Sequence, residues 1–308
     1  MLPIPADDAP SPRAAADAQE IAATAAELVA CGSLEMGADA PEDAQRIAAL
    51  LPAGTPVYVN HLPRRELAHT LPALVALSEA GLEPVPHVAA RRIVSRAEVE
   101  AFLKQAVRLA NVRKVLLIGG DVPEPLGPYV DGAALMRDGL LSGCGVQQVG
   151  LPGYPEGHPR IASATLAAAL AEKLALARAQ GLGAYVVTQF SFAPNRIVEY
   201  CADLARRAAD VPVYVGLPGP TSPRTLLRYA QRCGVGASLR ALQAQGMGAV
   251  RLFTNVDPSD QLTALARHMR AGSASNVVGV HLYSFGGVAT TAHWINARIT
   301  ARAGVRGG

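Results

Sequence analysis

Residues 114–119 read KVLLIG and residues 184–190 read AYVVTQF, and both runs are apolar almost throughout. Continuous apolar runs of this length are typical of strands in a parallel sheet that is buried on both faces. Short runs of strand character recur along the chain, which predicts eight strands in all. The other six are Gly32–Met36, Pro56–Asn60, Glu83–His87, Gln147–Leu151, Val211–Gly216 and Val277–Ser284.

Longer stretches of helical periodicity separate these strands. We predict helices at Arg13–Ala30, 42–51, 64–80, 96–109, 131–142, 162–180, 193–208, 222–246, 258–271 and 288–302. This alternation favours an α/β fold, the (β/α)8 TIM barrel. A doubly wound sheet is the alternative, but no G-x-G-x-x-G pattern follows the first strand. We expect residues 1–12 to be a flexible N-terminus and residues 13–308 to form a single catalytic barrel domain.

Composition excludes several classes of protein. Half of the 308 residues are apolar, 17% are charged, and the net charge is +3. The chain is therefore too apolar for disorder and too weakly basic to indicate nucleic acid or a membrane surface. We see no signal peptide and no membrane-spanning run. The cysteines are scattered without zinc spacing, which favours reduced thiols in a cytoplasmic protein.

Polar residues stand at the ends of the predicted strands, where a barrel places its catalytic groups. They are Glu35, Asn60, His61, His87, Gly119, Gly120, Asp121, Tyr154, Glu156, His158, Thr188, Gln189, His281 and Tyr283. Each has a structural alternative, such as a turn for Asp121 or a hydrogen bond within the core for Gln189.

Glu35 lies between Leu34 and Met36 in a strand that should be buried. A buried carboxylate is costly unless it is paired or functional, so an ion pair is the structural alternative. Burial would raise the pKa of Glu35, which suits a general acid near neutral pH. Because HEXXH, P-loop and GxSxG patterns are absent, the residues alone indicate a barrel enzyme, either redox or isomerase.

Several of these segments resemble the methylenetetrahydrofolate reductase family, in the family's order. The segments are SLEM at 33–36, VPH at 85–87, GDVP at 120–123, YPEGHP at 154–159, TQFSF at 188–192 and VHLY at 280–283. The resemblance covers about residues 30–300 and implies a barrel that uses FAD and either NADH or NADPH. The implied reaction reduces 5,10-methylenetetrahydrofolate to 5-methyltetrahydrofolate.

The resemblance also implies roles for individual residues. Glu35 is the expected general acid, and Asp121 is a second catalytic residue near the flavin and the pterin. Gln189 and Tyr283 are expected to bind the folate. The expected FAD contacts are Asn60, His87, Gly120, Asp121, Tyr154, His158 and Lys173.

Departures from the family pattern concern mainly the flavin. Gly119 stands where the family usually has arginine, and the helix after YPEGHP reads IASATLAAALAEK, which leaves only Lys173 as an anchor for a diphosphate. Loss of such charge-assisted contacts should weaken FAD binding. Arg91 and Arg92, just after His87, are candidate replacements for the phosphate contacts.

Three functions therefore stay open. The first is the reductase reaction through FAD, or with direct hydride transfer from the nicotinamide. The second is the same chemistry run as oxidation of methyl-tetrahydrofolate for demethylation. The third is a folate-binding protein without redox activity. The expected partner is a folate, with no metal, nucleic acid or membrane and with a possible homo-oligomer, and we expect no C-terminal regulatory domain.

Overall fold

A computed structural model describes residues 12–233, 235, 257–271 and 275–305. Eight parallel strands form a closed barrel in chain order, with β1 also paired to β8. The strands are β1 Ser33–Met36, β2 Pro56–Val59, β3 Glu83–Ala89, β4 Lys114–Ile118, β5 Gln148–Gly153, β6 Gly183–Thr188, β7 Val213–Pro218 and β8 Val277–Tyr283. The predicted (β/α)8 fold and all eight predicted strands are thus confirmed.

Helices follow the strands around the outside of the barrel. They are α1 Pro12–Ala30, α2 Asp43–Ala48, α3 Leu71–Glu79, α4 Arg96–Ala110, α5 Gly132–Arg137, α6 Leu140–Gly143, α7 Ser163–Ala179, α8 Pro194–Arg207, α9 Pro223–Cys233, α10 Ser259–Arg270 and α11 Val288–Val305. Short 3₁₀ turns cover Leu67–Thr70 and Ala90–Arg92.

Two helix predictions need correction. The helix predicted at 64–80 begins as an α-helix only at Leu71, because Arg64 has a positive φ of 61° and a 3₁₀ turn intervenes. The helix predicted at 131–142 is two helices, since Gly139 takes a φ of 69° between α5 and α6. The flexible N-terminus predicted at residues 1–12 and the end of the helix predicted at 222–246 fall largely outside the described residues.

Alternation along each strand separates two apolar layers. Leu34 and Met36 of β1 belong to the core between the barrel and its helices. The barrel interior is filled by a second cluster, made of Tyr58, Val85, Leu116, Tyr185 and Val187. A residue that alternates with Leu34 and Met36, such as Glu35, therefore points into the barrel.

No described helix is both long enough and apolar enough to cross a membrane. Helix α1 packs against α10, α11 and β8. This packing covers the strand pair at which the barrel closes.

Candidate active site

Glu35 lies inside the barrel toward the mouth, by which we mean the end where the strands finish at their carboxyl termini. It is 8% exposed. The Asn60 side-chain amide, just after β2, donates to Glu35 Oε2 at 3.4 Å. The side chains of Glu35 and Asn60 therefore meet inside the barrel.

Two imidazoles face the other oxygen of this carboxylate. His87 Nε2 of β3 and His281 Nε2 of β8 each lie 3.7 Å from Glu35 Oε1. At this distance both contacts are longer than ordinary hydrogen bonds. The His281 ring is fixed from behind by a 2.8 Å hydrogen bond between its Nδ1 and Ser33 Oγ.

Neither His87 Nε2 nor His281 Nε2 has a hydrogen-bond partner among the described residues, although both atoms are buried. The ring of Tyr58 lies below them, with its centroid 5.9 Å from that of His87 and 4.6 Å from that of His281. Buried polar atoms are normally paired with protein, water or ligand. The two ring nitrogens thus mark a place for a polar group beside Glu35 Oε1.

The pKa of Glu35 differs from the sequence expectation. Burial raises it, but the contact with His281, the charges of His87 and His281 and the Asn60 amide outweigh burial and lower the pKa below its ordinary 4.5. Burial also lowers the pKa of His87 to about 4, with Glu35 opposing and His281 adding to the fall. The predicted net rise was wrong, because neighbours that stabilise the charged form surround the carboxylate.

Asp121 follows β4 and Gly120, whose φ is 94°, and its side chain is 59% exposed. Arg92 holds it: Nε donates to Asp121 Oδ1 at 3.1 Å, and Nη2 contacts the same oxygen. The Arg92 Nη1 donates to the carbonyl oxygen of His61, the residue after Asn60. Asp121 is therefore joined through Arg92 to the loop that carries the partner of Glu35.

Arg91 fixes the rest of the loop after β4. Its guanidinium donates to the carbonyl oxygens of Val122 at 3.2 Å and Val130 at 2.9 Å, and also to that of Pro123. The suggestion that Arg91 and Arg92 could bind phosphate is therefore not favoured, since both side chains already bind protein acceptors.

Gln189 and Tyr283, the expected folate contacts, meet at Thr188. The Tyr283 hydroxyl donates to the Thr188 carbonyl oxygen at 2.9 Å. The Gly216 amide donates to Thr188 Oγ1 at 2.8 Å, so β6, β7 and β8 are tied together here. Gln189 is half-buried, and its Oε1 accepts from the amide of Phe190 at 3.1 Å.

Tyr154 and His158 form a separate pair after β5, with ring centroids 5.6 Å apart and edge-on. Lys173 lies on α7, with its aliphatic stem facing Gly132 of α5. Burial lowers the pKa of Lys173, while Asp131 and Glu172 oppose this fall.

Several of the expected flavin contacts are already bound to other groups of the protein. His87 and Asn60 face Glu35, Arg91 and Arg92 bind protein oxygens, and Lys173 is half-buried with its stem against Gly132. Arg91 and Arg92 therefore do not fit a flavin diphosphate, which needs accessible charged donors.

Sequence reasoning missed the contact of His281 with Glu35 and the bond of Arg92 to Asp121. Strand alternation could have found the first, because His281 and Tyr283 are two residues apart and share one face of β8. The second depends on a long-range contact between two loops. Within the described ranges, no group of His, Cys, Asp and Glu has a geometry that could hold a metal ion.

Comparison with known proteins adds a family and a fold. A family model described as methylenetetrahydrofolate reductase matches residues 41–238. An uncharacterized protein from Clostridium thermocellum, described as binding two copies of 5-methyl-5,6,7,8-tetrahydrofolic acid, has a TM-score of 0.57 at 13% identity, over 87% of this chain and 96% of that chain. This likeness concerns the fold alone.

Two further solved structures are similar at lower scores. Dihydropteroate synthase from Thermus thermophilus gives a TM-score of 0.45 at 17% identity, over 88% of this chain and 93% of that one. A putative phosphonomutase from Burkholderia cenocepacia J2315 gives 0.48 at 15% identity, over 94% and 99%.

Proposed function

The chain belongs to the methylenetetrahydrofolate reductase family, and we propose that it is an oxidoreductase that interconverts 5,10-methylenetetrahydrofolate and 5-methyltetrahydrofolate. NADH or NADPH is the hydride partner. The observation that carries the proposal is the position of Glu35, a buried carboxylate at the barrel mouth with Asn60 on one oxygen and two imidazoles near the other. A proton-transfer group in a water-poor place is what this reaction requires.

The proposed reaction transfers one proton and one hydride. In the reducing direction Glu35 gives a proton to N10 of the folate, the bond from N10 to the methylene carbon breaks, and a cationic iminium remains at N5. Hydride from C4 of the nicotinamide then reduces that methylene carbon to a methyl group. In the oxidising direction the hydride leaves first, and Glu35 accepts the N10 proton as the ring closes.

The remaining residues bind and orient the folate in this proposal. Gln189 offers an amide to the pterin ring, and Tyr283 supports the same strand end through Thr188. The Asp121 carboxylate, in the loop after β4, stabilises positive charge that develops at N5. The neighbour from Clostridium thermocellum is described as a binder of a reduced folate, which agrees with this substrate class.

Direct hydride transfer is the route that the site favours over a relay through FAD. The reason is the engagement of Arg91 and Arg92 with protein oxygens, since neither guanidinium is then left to bind the flavin diphosphate. The visible absorbance of the purified protein, with and without added FAD, tests this choice. Flavin bands near full occupancy would favour the relay instead.

The oxidising direction is a second candidate, and the low pKa of Glu35 supports it. A group that is ionised in the free enzyme is ready to act as a base, whereas the reducing direction must first protonate it. Turnover measured in both directions at cellular cofactor ratios separates the two.

The variant Glu35→Gln tests the proposed function. We expect the folate-dependent oxidation of NAD(P)H to fall by about 10²–10⁴-fold, the usual contribution of a positioned acid or base. Glutamine keeps the size of the side chain, so the thermal midpoint should stay near that of the wild type.

Glu79→Gln is the matched control. Glu79 is exposed at the end of α3, just before β3 begins, which is the end of the barrel away from the mouth. Wild-type turnover in Glu35→Gln would refute the role of Glu35. A wild-type protein that binds folate but never oxidises NAD(P)H with it would indicate the folate-binding protein instead.

A further inference from the structure

Arg92 and Asp121 form an ion pair in which the two partners differ sharply in exposure. The Arg92 side chain is 10% exposed, whereas that of Asp121 is 59% exposed. Arg92 also donates to the His61 carbonyl oxygen, so its guanidinium is fixed by burial and by backbone as well as by the carboxylate. The cation is the anchored member of the pair, and the anion is the member presented at the mouth.

Both contacts that the Arg92 guanidinium makes with Asp121 end on the same carboxylate oxygen, Oδ1. Arg92 thereby links the loops that follow β2, β3 and β4, because His61, Arg92 and Asp121 each belong to a different one. The His61 loop also carries Asn60, which donates to Glu35. The position of Asp121 is thus coupled through Arg92 to the loop that holds Glu35.

Arg91 and Arg92 bind different parts of the loop after β4. Arg91 binds the carbonyl oxygens of Val122, Pro123 and Val130 and so holds the backbone of the loop. Arg92 instead binds the Asp121 side chain. Because an ion pair with an exposed carboxylate contributes little stability, the main effect of Arg92 is to fix where this carboxylate lies.

We propose that Arg92 is a positioning residue, which holds the Asp121 carboxylate at the mouth so that the reduced folate binds in register with Glu35. This inference rests on the proposed function. The arrangement is specific to a forked guanidinium, which contacts Asp121 through two nitrogens and His61 through the third. Lysine, with a single ammonium group, can replace only part of that arrangement.

A double-mutant cycle between Arg92 and Asp121 tests the proposal, with steady-state kinetics for the reduced folate and thermal midpoints for every variant. Arg92→Gln should lower kcat/KM by about tenfold or more, mostly through KM, because a misplaced binding group disturbs substrate orientation. Arg92→Lys should recover part of the loss. In the Asp121→Ala background, Arg92→Gln should add less than about twofold, since the side chain that Arg92 binds is already gone.

Arg178→Gln is the matched control. Arg178 forms a similar pair with Asp210 at 2.9 Å, on α7 and just before β7, at the other end of the barrel. This variant should change neither KM nor kcat.

Two results would overturn the proposal: kinetics of Arg92→Gln within about twofold of the wild type, or an equal loss in both Asp121 backgrounds, which would mean an effect on the fold. If Arg92→Gln does not fold, the same cycle is run with Arg92→Lys. Absence of folate-dependent turnover in the wild-type protein would contradict the proposed function itself. The proposed role of Arg92 would then also be wrong, because it rests on that function.

Discussion

Glu35 is buried, and its neighbours nevertheless stabilise its charged form. Its carboxylate is 8% exposed, yet Asn60, His87 and His281 hold its pKa below the ordinary value. His87 is neutral at pH 7, since burial lowers its pKa to about 4. The free site therefore holds an ionised acid beside a neutral base, and proton transfer depends on what the substrate brings.

This state predicts different pH dependences for the two directions of the reaction. Reduction needs protonated Glu35 in the free enzyme, a fraction that falls about tenfold per pH unit above the pKa. The kcat/KM for methylene-tetrahydrofolate should therefore decrease steadily from about pH 6 to about pH 8. The kcat/KM for oxidation of methyl-tetrahydrofolate needs the carboxylate and should be level across the same range.

Steady-state rates in both directions, over buffers of constant ionic strength, check this prediction. A bell-shaped profile centred near neutral pH in the reducing direction would mean that Glu35 has a raised pKa when the enzyme is free. The sequence expectation would then be correct, and the contacts of His281 and His87 would not stabilise the carboxylate as described.

At the scale of single residues, the sequence predicted which residues lie at the site better than it predicted the contacts between them. Glu35, Asn60 and His87 follow from position at strand ends, and the structure brings them together. The direction of the Glu35 pKa could not be predicted, because it depends on His281, which is distant in the chain and reaches Glu35 only after the barrel closes. The ion pair of Arg92 with Asp121 could not be predicted for the same reason, since loop packing sets it.

Strands β6, β7 and β8 meet so closely at the mouth that one position there has no room for a side chain. A Cβ on Gly216 would lie 2.0 Å from the Thr188 carbonyl oxygen and 2.8 Å from the Tyr283 ring. The Tyr283 hydroxyl donates to this Thr188 oxygen, and Gln189 is the next residue in the chain. The strand spacing and the expected folate contacts thus depend on the same glycine.

Gly216→Ala should lower the free energy of unfolding by about 3 kcal/mol, because backbone must move to admit the methyl group. Urea unfolding of the purified variant measures this value. Gly37→Ala is the control, since nothing lies within 4 Å of a Cβ there, and it should be near neutral. Equal stability of the two variants would show that β6 and β7 are farther apart at this point than the structure has them.

Periodicity located the elements reliably and their ends less well. All eight strands were found because continuous apolar runs are distinctive of a buried parallel sheet. The helix predicted at 131–142 was too long, since composition does not reveal that Gly139 turns the chain between α5 and α6. The start of α3 was predicted too early. Arg64 has a positive φ, and arginine is not a residue that indicates such a turn in a sequence.

Across the whole molecule, the barrel collects residues from most of the chain at one end. Glu35 comes from β1, His87 from β3, Asp121 from the loop after β4, Gln189 from the end of β6 and His281 from β8. Composition and periodicity predicted this architecture, and the ordered motifs predicted the family. The hydride route could not be predicted from them, because it depends on which cations remain available after the loops have packed.

The transfer of deuterium from labelled NAD(P)H to folate tests the central claim most directly. Anaerobic turnover uses methylene-tetrahydrofolate with NADH or NADPH deuterated at either face of C4, and mass spectrometry reads the methyl-tetrahydrofolate. Direct transfer predicts a product that carries deuterium in its methyl group for one of the two faces. Unlabelled product with both faces would indicate a carrier that exchanges with water, such as a reduced flavin, and no product at all would contradict the proposed function.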